Sequence, residues 1–187
     1  VCRTLAWMRH DAAADKLAEM AGKDADGGAR AAAIEALARL KSAKVPEVLA
    51  VSVADKDYRV RIATAVAWGG FFCGTCKFTK DLGAKRDCEL ERSEQGWAYP
   101  SADPQGAVAG LPKLIQDKDW RVRAAAIEAC RALREKESIG WLIELLEKEK
   151  GRLRWDALLA LEDLTEKEIG LDIKAWKAWW ESNKAAF

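Results

Sequence analysis

The sequence predicts an all-α solenoid of about four helical hairpins, with capping helices at its ends and one long loop insertion. Three observations predict it. Asp117-Lys118-Asp119-Trp120-Arg121-Val122-Arg123 has a near copy at Asp55-Lys56-Asp57-Tyr58-Arg59-Val60-Arg61, and the one position that differs is aromatic in both. Steps of 31 residues from Arg123 land on Arg154, Arg61 and Arg30, a fixed period of the kind that marks repeat architectures. After each arginine, the third, sixth, seventh and tenth positions are small or apolar: Ala33, Ala36, Leu37 and Leu40 in the first copy, Ala126, Ala129, Cys130 and Leu133 in the third. Those offsets trace one face of an α-helix.

Composition narrows the class. Half of the 187 residues are apolar and a third are charged, which suits a folded chain with an ample core. No apolar run approaches the roughly 18 residues of a membrane span. The balance of 31 basic against 30 acidic residues, net +1, gives no global field for nucleic acid or a lipid surface. One histidine, His10, excludes multi-histidine metal sites and most triads. Five cysteines (2, 73, 76, 88 and 130) leave the redox compartment open.

The elements follow in order along one domain, residues 1–187. Thr4–Met8 are placed as an N-terminal cap, since a solenoid must cover its terminal faces. Repeats are expected at about 12–41, 45–72, 104–135 and 137–165. Each opens with a short apolar helix: Ala14–Ala21, Pro46–Val53, Val108–Gln116 and Ile139–Glu147. Pro46 suits a first-turn position. An acidic pair follows each: Asp24/Asp26, Asp55/Asp57, Asp117/Asp119 and Glu147/Glu149. An acid at a helix start accepts bonds from free N–H groups and suits the positive dipole end. Asp172 is placed to cap a last helix over 172–184. There Ile173, Trp176, Trp179 and Trp180 form one apolar stripe, read either as a cover for the last repeat or as a docking helix.

A hairpin of 31 residues with an acid, then Val-Arg, then spaced alanines and leucine resembles a HEAT-type repeat, in the short form of phycobilin-lyase-like proteins. The resemblance implies a ladder of acid–arginine contacts between repeats, with Asp55 and Arg61, and Asp117 and Arg123, in its positions. Repeat four departs: Glu147 stands for the Asp and Gly151 for the aromatic. Repeat one has Gly27 at the aromatic position and Ala29 in place of Val.

Residues 73–103 read as an insertion, because the two closest copies lie two periods apart with no apolar helix pattern between them. It holds Cys73-Gly74-Thr75-Cys76 and Cys88. Four states are open for these thiols: a disulfide within the loop, free thiols, a zinc site lacking an evident fourth ligand, or a haem attachment in which Lys77 replaces the usual His. Cys130 aligns with Leu37 and Leu161 and is read as a core thiol, and Trp68 aligns there too.

No phosphate loop, dinucleotide fingerprint or nucleophile elbow is present. The expected function is therefore a non-catalytic, non-enzyme interaction scaffold without metal or cofactor. Its expected partner is another protein, alone or in a larger complex, and neither nucleic acid nor membrane. The candidate contact residues are Tyr58 and Trp120 at the turns, Trp97 and Tyr99 in the insertion, and Trp155 in repeat four, because exposed aromatics anchor interfaces. For Trp155 and its neighbour Trp141, extra core packing is an equal reading. Two alternatives are a tetrapyrrole-handling, lyase-like protein and, less strongly, a nucleic-acid binder using the arginine rows.

Overall fold

The computed structural model describes residues 13–40, 42–69, 104–134 and 136–185. Every regular element among them is a helix: α1 Ala14–Lys23, α2 Gly27–Leu40, α3 Val45–Ser52, α4 Tyr58–Trp68, α5 Pro104–Ile115, α6 Trp120–Leu133, α7 Ser138–Lys148, α8 Arg152–Thr165 and α9 Ile173–Asn183. They stack in two layers. Helices α2, α4, α6 and α8 pack side by side in one, and α1, α3, α5, α7 and α9 in the other. This is an all-α solenoid. Helices α4 and α6 pack directly together although residues 70–103 separate them in sequence. No helix among the described residues is long and apolar enough to cross a membrane.

The alanine columns set the helix spacing. Ala33, Ala36, Ala126, Ala129, Ala157 and Ala160 are fully buried, so backbones approach closely and the larger Leu37, Trp68, Cys130 and Leu161 fill the space between layers. Thr64 stands where other repeats carry alanine, and its hydroxyl donates to the Val60 carbonyl at 2.9 Å. Trp68 needs room that the other repeats do not supply. Gly110 on α5 gives it, since a Cβ there would overlap the indole ring.

At the C-terminal end, Asp172 caps α9 by accepting from the Ala175 N–H at 3.0 Å. Trp176 is fully buried, and its indole N–H donates to the Gly170 carbonyl at 2.8 Å. Trp179 meets Trp176 edge-on and Trp180 is partly buried. The tryptophan stripe thus turns inward and covers α7. Thr4–Met8, His10 and the whole of 73–103, including Cys73, Cys76, Cys88, Trp97 and Tyr99, lie outside the described residues. Cys130 is fully buried in the core.

Candidate functional site

The turns between paired helices line one edge of the solenoid, and two rows of charge organise that edge. In the inner row, each arginine of one repeat grips the next repeat. Arg30 donates through Nε and Nη2 to the Asp55 carboxylate at 2.8 and 2.7 Å. Arg61 does the same to Asp117 at 2.6 and 2.9 Å, and Arg123 pairs with Glu149 at 2.8 Å. The remaining Nη1 of each arginine donates to a carbonyl in its own turn: Asp24, Asp55 and Asp117, at 2.8, 2.7 and 2.7 Å. Each guanidinium therefore bolts its own turn to the following one.

This refines the ladder read from sequence. Asp55 and Arg61 of one repeat do not pair carboxylate to guanidinium; Asp55 receives Arg30 and offers Arg61 only its carbonyl. In repeat four the acid in the ladder is Glu149. Glu147 instead receives Lys177 from α9 at 2.8 Å. The turn there is irregular, with Gly151 at φ 60 and no side-chain cap on α8, so the acid sits out of register with the other repeats.

The outer row holds the helix starts. Asp57 and Asp119 each accept from the N–H two residues on, at 2.9 Å in both. The inner-row acids orient them: Asp55 and Asp117 accept from the Asp57 and Asp119 N–H groups at 2.8 Å. The Arg59 guanidinium holds the Asp57 carboxyl down to about 2, and Arg121 does the same for Asp119. Burial pushes Asp55 and Asp117 upward, but hydrogen bonds from Arg30 and Arg61 and from the turn N–H groups outweigh it and hold both low.

Between repeats two and three this edge opens into a shallow cleft of about 670 Å³, lined by Lys56, Asp57, Tyr58, Arg59, Arg61, Lys118 and Asp119. The Arg121 guanidinium lies 3.6 Å over the Tyr58 ring, joining one repeat's aromatic to the next repeat's first turn. Trp120 stands beside it, 59% exposed at the start of α6. Arg59 also reaches back to Asp26 at 3.3 Å. Among the described residues, no group of three or more His, Cys, Asp or Glu side chains is arranged to hold a metal ion.

Of the contact residues named from sequence, Tyr58 lines this cleft, and Trp120 is exposed at the start of α6, next to the lining residue Asp119 but not itself among the lining residues. Trp155 is elsewhere, 54% exposed on α8, whereas Trp141 packs partly buried against the core. Lys56 and Lys118 were missed, and their one signal was their identical place between the two aspartates of the duplicated motif.

Residues 1–68 and 90–165 match the family model for HEAT repeats. The chain belongs to the HEAT-repeat family. Among solved structures, this HEAT-repeat chain is similar to the complex of CpcE and CpcF of phycocyanin lyase from Nostoc sp. PCC7120, at 23% identity and a TM-score of 0.60, with 85% of each chain covered. At that identity the likeness establishes the solenoid fold. No curated protein sequence matches significantly. The structural likeness corrects one expectation, that the protein is not an enzyme. The similar structure is that of a phycocyanin lyase complex, so a single histidine, and no metal cluster among the described residues, give no ground for excluding catalysis.

Proposed function

We propose that this HEAT-repeat protein is a lyase-type subunit that handles a tetrapyrrole chromophore together with a second protein chain. The observation that carries the reading is the cleft between repeats two and three, set on a solenoid like that of a phycocyanin lyase. An open-chain tetrapyrrole is a flat conjugated strip bearing carboxylate side chains. Lys56 and Lys118 line the cleft, and an ammonium on a flexible stem suits carboxylates as a mobile point charge. Trp120, exposed next to the lining residue Asp119, is the aromatic available for stacking, and Tyr58 lines the cleft with one face already taken by Arg121. In this reading the two lysines hold the carboxylates, Trp120 stacks on the conjugated plane, and the ladder keeps the two turns at a fixed separation. The structural neighbour is a complex of two different chains, which supports a protein partner for this one.

Titrating the purified chain with biliverdin and following its visible absorption tests the reading. A saturable change in band position or intensity is expected. A spectrum identical to that of the free tetrapyrrole at all protein concentrations would overturn it.

A further inference from the structure

Among the described residues, helix α8 is the last of the layer formed by α2, α4, α6 and α8, and no later helix of that layer covers its outer face. At 100° per residue, Arg152, Trp155, Leu159 and Glu162 fall on one stripe, opposite the buried Leu153, Ala157, Ala160 and Leu161. Trp155 is 54% and Leu159 52% exposed, one turn apart. The corresponding positions are Ala124 and Glu128 in repeat three and Ile62 and Val66, both partly buried, in repeat two, so among the described residues an exposed apolar pair at these positions is particular to α8. Beside Leu159 lies a recess of about 500 Å³ lined by Glu162, Asp163, Glu166, Glu168 and Arg131. Its one cation, Arg131, is already paired with Asp163 at 2.7 Å, which leaves an acidic recess next to an exposed leucine.

We propose that this face binds a second copy of the chain, with the two α8 helices antiparallel about a two-fold axis. The stripe reads base, aromatic, aliphatic, acid, and that order is complementary to its own reverse. With the axis at residue 157, Trp155 of each copy meets Leu159 of the other, and Arg152 of each copy meets Glu162 at the mouth of the acidic recess. Arg152 is exposed and held only by Asp156, one turn along its own helix, at 2.7 Å. A surface pair one turn apart on a helix contributes little stability, so it yields readily to a partner. The contact is isologous and closes at two copies, with no route to a filament. Two short helices make an interface near the low end for specific association, about 1,000 Å² in total, so the dimer is reversible and concentration-dependent. It does not rest on the tetrapyrrole reading.

Sedimentation velocity on the full chain over about 1–100 μM tests the pairing, since a small interface dissociates within such a range. The expected result is a mass moving from 20.7 kDa toward twice that value as concentration rises. Leu159→Glu, Arg152→Glu and Glu162→Arg should each weaken dimerisation by about tenfold or more. Arg152→Glu with Glu162→Arg in one chain should restore it, because the reversed stripe is again complementary to itself. Circular dichroism on each variant confirms retained helix, as expected for exposed positions. A chain that stays monomeric throughout overturns the proposal. So does a dimer indifferent to Leu159→Glu, or a double reversal no better than the single ones.

Discussion

The Arg61 guanidinium and the Asp117 carboxylate form a bidentate pair, 2.6 and 2.9 Å long, across 56 residues of sequence. Both side chains are almost wholly withdrawn from solvent, at 7% and 10% exposure. The pair joins repeat two to repeat three at the place where residues 70–103 interrupt the chain. Cutting it leaves the surviving charge buried beside a turn that no longer has its bolt.

Arg61→Ala and Asp117→Asn should therefore each lower unfolding stability by about 3–5 kcal/mol, the usual cost of breaking a buried pair from one side. Arg61→Lys should rescue little, since an ammonium cannot donate to both carboxylate oxygens and the Asp55 carbonyl in the same planar geometry. Urea unfolding of the three variants measures this. A loss below about 1 kcal/mol would place the pair among ordinary surface contacts.

The outer row predicts smaller effects. Asp119 caps α6 through the Arg121 N–H, and Asp119→Ala should cost about 1 kcal/mol. Thermal unfolding reads the difference, and the midpoint should fall without loss of cooperativity.

Acid should unfold the solenoid in a defined window. Asp57 and Asp119 are depressed from the ordinary 3.8 to about 2 in the folded chain. Groups with a lowered folded value contribute stability that is complete above the unfolded value and is lost as pH falls through the folded one. Asp55 and Asp117 are shifted in the same direction. Urea midpoints should therefore hold steady down to about pH 4 and drop steeply between about pH 4 and pH 2. Asp57→Asn with Asp119→Asn should flatten that slope. A midpoint unchanged from pH 5 to pH 2 would contradict the assignment.

Gly110 tests the packing between α4 and α5. Gly110→Val should drive atoms into the Trp68 indole and lower stability by about 1–3 kcal/mol through overpacking. Near-ultraviolet circular dichroism should report the displaced tryptophan. An unchanged spectrum and midpoint would mean that α5 shifts aside freely.

The period was legible in the sequence because each turn must repeat one piece of chemistry. Asp55 and Asp57, then Asp117 and Asp119, orient and cap in the same way, so the same letters recur. What connects the turns was less legible. Arg61 sits six residues after Asp55, yet its carboxylate partner is Asp117, and a contact between successive copies leaves no mark within one copy. Glu149 displaced Glu147 in the ladder because the Gly151 turn changes the register locally. Trp141 and Trp155 gave the same signal and took opposite environments, since burial at the end of a stack depends on whether another helix follows. At the cleft, Tyr58 stood out as an aromatic, whereas Lys56 and Lys118 looked like any surface lysines until the fold set them around one opening.

The lysines give the most direct test of the functional reading. Lys56→Ala with Lys118→Ala removes both mobile cations from the cleft and leaves the ladder Arg30–Asp55, Arg61–Asp117 and Arg123–Glu149 intact. Biliverdin binding, followed by visible absorption, should weaken by about tenfold or more in this variant, the equivalent of about 1.4 kcal/mol, while the urea midpoint stays within about 0.5 kcal/mol of the parent. Binding as tight as the parent's, with the fold intact, would contradict the cleft as the chromophore site.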